Sequence, residues 1–186
     1  MVELTGLWLP ILLSAVFVFA ASSVIHMALR YHWGDWNKMP GEDKVREAIR
    51  SAGVAPGNYN LPHAGSSAAM SSPEIVAKMK EGPVGFLTVL PSGAPAMGKN
   101  LAQWFIYSVV IGVLVAYLTG RTLGPGTHYL QVFRVAGTVA FLAYVGAEPI
   151  ASIWFGRKWS TTFKTAVDGL VYALLTAGTF GWLWPQ

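Results

Sequence analysis

At 186 residues, with 53% hydrophobic and only 12% charged side chains, the chain has about half the charge density of an ordinary soluble domain, which excludes a conventional water-soluble globule. Its net charge of +4 follows from basic residues that flank apolar stretches, and no basic patch interleaves with aromatics as a nucleic-acid site requires. The absence of cysteine removes disulfides, thiolate metal sites, iron–sulfur ligation and cysteine nucleophiles together.

The first element is the run from Leu4 to Leu29, 26 residues without one Lys, Arg, Asp or Glu. As a helix it extends about 39 Å at ~1.5 Å per residue, more than the roughly 30 Å hydrocarbon core of a bilayer. A cleaved signal peptide would open with a positive region before a shorter apolar core; here the only early charge is Glu3. Three further apolar runs follow at Leu101–Gly120, Tyr129–Ala147 and Thr165–Trp184, each of crossing length. The expectation is a single all-α membrane domain over residues 1–186, with four transmembrane helices and a partly helical cytoplasmic loop, residues 31–100, between the first two.

Basic residues orient the spans, because positive loops stay in the cytoplasm. Arg30, Lys38, Lys44, Arg46 and Lys99 lie between the first and second spans, and Arg157, Lys158 and Lys164 between the third and fourth, against Arg121 alone on the other side. Both termini are thereby expected outside, in the periplasm of a bacterial inner membrane. Tryptophans, which favour the headgroup level, fit the same layout, with Trp8, Trp182 and Trp184 in an outer belt and Trp33, Trp36, Trp104, Trp154 and Trp159 in an inner one.

Within the cytoplasmic segment, Pro40-Gly41-Glu42-Asp43 opens a helix to about Ser51 with acids at its positive end. Ser72-Pro73-Glu74 starts a second through Lys80, stopped by Gly82-Pro83. The proline-rich stretch Val54–His63 reads as extended. Val84–Leu90 reads as a strand without an evident partner, or as a segment lying in the inner headgroup region.

Helices in lipid approach closely through small residues at i, i+4. The fourth run carries Thr165, Gly169, Ala173, Ala177 and Gly181 in that register, the second Ser108, Gly112, Ala116 and Gly120, and the third Ala136 with Ala140 and Ala143 with Ala147. These stripes predict either a tight bundle or a face turned to another subunit.

Ionisable groups inside apolar spans are costly and mark candidate sites. His26, Glu148 and Asp168 all fall near the cytoplasmic helix ends, Ser22, His26 and Arg30 share one face of the first helix, and Lys164, Asp168 and Tyr172 share one face of the fourth. A histidine with carboxylates serves as a proton relay or binds a divalent metal. The plainer alternative pairs Asp168 with Arg30 or Lys164 and leaves His26 hydrogen-bonded within the bundle. Glu148-Pro149 ends or kinks the third span, and Arg134 snorkels toward the outer headgroups. His32, His63 and His128 lie outside the spans, the methionines form no copper cluster, and a bis-histidine haem lacks its second span histidine. No phosphate loop, nucleophile elbow, zinc-protease or dinucleotide fingerprint is present, so no cofactor and no catalytic residue is expected.

Ser23-Val24-Ile25-His26-Met27, His32-x-Gly34-Asp35, Pro40-x-Glu42-Asp43, Ala55-Pro56-Gly57-x-Tyr59, Gly82-Pro83-Val84-Gly85 and Asp168-Gly169-Leu170 are spread along nearly the whole chain. On these the chain resembles a group of small bacterial four-helix integral membrane proteins with no known activity. The resemblance implies a bacterial inner-membrane location and no functional residue. The leading expectation is a non-enzymatic accessory subunit or homo-oligomeric scaffold whose partners are the bilayer and other membrane subunits, not nucleic acid. The alternatives are a small ion, solute or proton-coupled transporter or channel using the His/Glu/Asp cluster, and a membrane-bound metal protein or enzyme at the inner headgroup level.

Overall fold

The computed structural model describes every residue, Met1–Gln186. In chain order it contains α1 (Trp8–Ser23), α2 (Glu42–Ser51), β1 (Gly57–Leu61), α3 (Ser67–Met70), α4 (Pro73–Glu81), β2 (Gly85–Val89), α5 (Met97–Thr122), α6 (Tyr129–Val145), α7 (Glu148–Phe155) and α8 (Trp159–Trp182). A 3-10 turn at Leu4–Leu7 leads into α1, a π-turn at Val24–Ala28 continues it, and a second 3-10 segment covers Arg30–Asp35. The chain divides into two compact units, one of residues 1–35 and 96–186 and the other Trp36–Pro95.

Three helical stretches are long and apolar enough to cross a membrane: Leu4–Ala28, Met97–Thr122 and Tyr129–Phe155. The expected fourth span at Thr165–Trp184 does not stand. α8 has the length, but Lys164, Asp168, five threonines and three glycines dilute its apolar content. It packs against α1 and α6, burying Asp168, Gly169, Tyr172, Ala173, Thr176, Ala177, Thr179 and Phe180. With three candidate spans instead of four, the count that placed both termini on one side no longer holds. Trp184 is buried and Trp104 half-buried, each tied to a neighbouring segment through its indole N–H. The Trp104 indole donates to Ser22 Oγ at 2.8 Å and that of Trp184 to the Gly124 carbonyl at 2.9 Å.

Most of the small-residue stripes are taken up inside this unit, the exception being the Ala143–Ala147 pair, of which Ala147 is exposed. A Cβ on Gly112 would lie 3.2 Å from the Ile11 carbonyl oxygen, and one on Gly181 would lie 2.6 Å from the Tyr129 ring. Gly120 meets the amino-terminal residues so closely that a Cβ there would sit 2.6 Å from Val2 O, and Val2 N–H donates to Gly120 O at 2.8 Å. Gly169 lies under α6, where a Cβ would approach Val145 Cγ2 to 2.5 Å. Ser108, Ala116, Ala173 and Ala177 are all buried in the same interior. The third span breaks where Glu148-Pro149 predicts: α6 ends at Val145, two residues form a turn, and α7 restarts at Glu148 with Pro149 in its first turn, where its missing N–H costs nothing. Gly156 takes a left-handed φ of 68°, which reverses the chain into α8.

The second unit corrects the all-α expectation. β1 and β2 form an antiparallel pair, Gly57 opposite Val89 through Leu61 opposite Gly85, so the Val84–Leu90 strand has its partner in the proline-rich stretch. Thr88 Oγ1 donates to Asn58 Oδ1 across the pair at 2.9 Å. α3 and α4 fill the connection, with Ser66 and Ser72 as side-chain caps and Ile75 buried. Ser72→Ala is expected to cost about 1 kcal/mol locally, as loss of an N-cap does. Faster amide exchange over Pro73–Glu81, with the residues of the first unit unchanged, would register it.

Candidate functional site

α1 does not run straight into the loop. At its end the Leu29 N–H reaches back five residues to the Val24 carbonyl at 3.2 Å, a π-turn that contains His26. Such turns widen the helix by one residue and recur at functional sites. Leu29 is extended, and the following 3-10 turn presents His32 and Asp35, three residues apart, on one side.

His32 lies between two carboxylates. Its Nδ1 is 2.7 Å from Asp35 Oδ2 and its Nε2 is 2.8 Å from Asp168 Oδ2 on α8. A neutral imidazole has one N–H, so serving both acceptors takes an additional proton on the imidazole or on a carboxyl group. A cation can stand in for that proton on the Asp168 side. Lys164, one turn before Asp168, donates to Asp35 Oδ1 at 2.7 Å and to the Tyr31 carbonyl. The ammonium on Asp35, with His32 adding to it, holds the Asp35 carboxyl below its ordinary range. The Asp35–Lys164 contact is therefore present above the usual carboxylate pKa and is lost only as the pH falls through the lowered value.

Asp168 is 3% exposed, and its second oxygen, Oδ1, is buried without a hydrogen-bond partner. His26 stands edge-on to His32, their ring centroids 4.9 Å apart. One ligating atom from each of His26, His32 and Asp168 lies within 4.8 Å of the others. Above them Tyr172 packs against Trp104 and Tyr144, with centroid distances of 5.8 and 5.5 Å, an aromatic wall on the interior side of the cluster.

Of the residues expected to meet, His26 and Asp168 do, and Tyr172 lines the wall. Glu148 does not join them: its carboxylate accepts from Arg157 at 2.7 Å, and Arg157 also bonds the Glu148 carbonyl and Thr162, a clasp across the α7–α8 turn. Arg30 lies over the Trp33 ring at 5.0 Å instead of pairing with Asp168. Lys164 keeps its place beside Asp168 in sequence but pairs with Asp35. The central histidine is His32, which its position outside the spans concealed; its i, i+3 spacing to Asp35 is the sequence signal that points to it.

Compared with protein-family models, curated proteins and solved structures, the chain matches none.

Proposed function

We propose that the chain is an integral membrane protein whose work is done at the His32–Asp168 cluster, as a cation site of a small transporter. The observation that carries this reading is Asp168: a carboxylate 3% exposed on a helix packed against two apolar, span-length helices, with one oxygen facing an imidazole and the other unpartnered. Burying such a group is expensive unless something binds it, and ionisable residues at membrane depth mark ion pathways. Apolar helices and motifs resembling those of bacterial membrane proteins support a bacterial cytoplasmic membrane. The basic residues Arg30, Lys38, Lys44 and Arg46, which follow the first span, support placing the cluster at its inner side.

The accessory-subunit reading draws on the small-residue stripes, and those of α5 and α8 and the Ala136–Ala140 pair pack within the chain. What speaks for a partner is α2, which has no buried residue.

Reconstituted into phosphatidylethanolamine–phosphatidylglycerol liposomes under a potassium diffusion potential, the chain should move a cation. Entrapped indicators would follow protons, sodium and divalent metal separately. Asp168→Asn, which keeps a polar contact for His32, should lower the flux toward that of empty liposomes, because it removes the charge that holds the cation. Flux of every ion equal to that of empty liposomes would contradict the reading.

A further inference from the structure

We infer that the cation the cluster takes is a divalent transition metal of the zinc or cobalt class, held by a ring nitrogen of His26, Nε2 of His32 and the carboxylate of Asp168. The inference rests on the cation-site reading above and names its ligand.

The donor set selects the metal. Two imidazoles and one carboxylate suit zinc, cobalt, nickel or iron, whereas magnesium and calcium prefer all-oxygen shells. The three donor atoms lie within 4.8 Å of one another. Tetrahedral bonds of about 2.0–2.1 Å place ligands about 3.3 Å apart, so closure onto an ion takes small side-chain movements. His26 sits in the π-turn and His32 in the segment just after it, so both imidazoles come from the irregular carboxyl-terminal end of the first helix.

The supporting shell is in place as well. A metal-bound histidine ordinarily gives its other N–H to a carboxylate, which fixes the tautomer and aims the lone pair at the ion. Asp35 does this for His32, with Oδ2 at 2.7 Å from Nδ1, and Lys164 holds the other Asp35 oxygen at 2.7 Å. Asp35 and Lys164 cancel in charge, so the ion meets a single uncompensated carboxylate. Independently of the histidines, the buried Oδ1 of Asp168 is an acceptor without a partner, which a bound cation on that carboxylate would satisfy. Three protein donors leave a fourth position for water or an incoming ligand, the pattern of working zinc sites as opposed to structural ones.

The test uses tag-free, full-length protein in detergent, stripped with a chelator and titrated with Co2+ alone. The visible d–d band should saturate at one ion per chain and be reversed by Zn2+ but not by Mg2+. His32→Gln and Asp168→Asn should weaken Co2+ binding by more than about a hundredfold, beyond the roughly ten- to hundredfold loss expected for the outer residue in Asp35→Asn. Because His32 and Asp168 also hold the fold together, His26→Gln is the cleaner probe. His26 makes no hydrogen bond in the cluster, so this variant should keep its fold and lose the band.

A folded wild-type chain that binds no Co2+, or a Co2+ band that survives His26→Gln, would overturn the metal site. Proton or sodium flux in that same protein would leave the transport reading standing. Stoichiometric Co2+ binding without flux of any ion would support the metal site and overturn transport.

Discussion

Gly169→Leu is expected to cost at least about 3 kcal/mol, the upper range for forcing extra volume into a packed interior. A Cβ at this position already reaches 2.5 Å from Val145 Cγ2 and 3.3 Å from Tyr144 Cβ, and the rest of a leucine has nowhere to go while α6 and α8 keep their contact. The strain is local to the face that carries Asp168, so the cluster should be lost with the packing. Thermal unfolding in detergent, followed by tryptophan fluorescence and by the monodisperse fraction, measures it. Gly178→Ala is the matched control: its Cβ would meet only the Tyr129 hydroxyl, at an ordinary 3.8 Å. Ala at this position should hold or slightly raise stability, because Gly inside a helix costs roughly 0.5–1 kcal/mol relative to Ala. Wild-type stability in Gly169→Leu would show that α6 and α8 do not pack as described.

The second large effect concerns His32. Removing it leaves the Asp168 carboxylate, 4% exposed at its side chain, without its neighbour. Breaking a buried pair at one end costs about 3–5 kcal/mol, and because His32 itself is 21% exposed, the lower end, about 3 kcal/mol, applies to His32→Ala. Asp168→Leu strands the imidazole instead and should cost less, since solvent reaches that ring. The double variant His32→Leu/Asp168→Leu removes both polar groups and should recover most of the loss, because apolar replacement of a whole pair is often close to neutral. Asp35 keeps Lys164 in every case. Losses that simply add in the double variant would show that the two side chains are not coupled.

Length and apolarity make the three helical stretches long enough to cross a membrane legible in the sequence, and Pro149 marks the break between α6 and α7. α8 misleads for a physical reason. Small residues at i, i+4 let helices approach in lipid, but they equally mark an interior helix packed against its neighbours, and hydropathy separates the two only through polar residues such as Asp168 and the threonines. The hairpin hides for another. Gly57–Leu61 is GNYNL, without a β-branched residue, and its partner lies beyond two short helices instead of a tight turn. His26 and Asp168 stand out because charge inside an apolar helix is costly. His32 and Asp35 do not, because their placement depends on a π-turn and a 3-10 turn that no periodicity announces. Glu148 shares a helix end with the cluster in sequence, yet the left-handed turn at Gly156 brings Arg157 back to it, and it is spent there.

One imidazole, His32, joins the end of the first helix to α8 through two carboxylates. Solid-state NMR on protein carrying 15N-histidine and 13C-aspartate, in lipid and free of metal, addresses it directly. Both ring nitrogens of His32 should show through-space coupling to a carboxyl carbon, Nδ1 to Asp35 and Nε2 to Asp168, the second lost in Asp168→Leu. Coupling of His32 to Asp35 alone, or to neither, would show that His32 does not bridge the two segments.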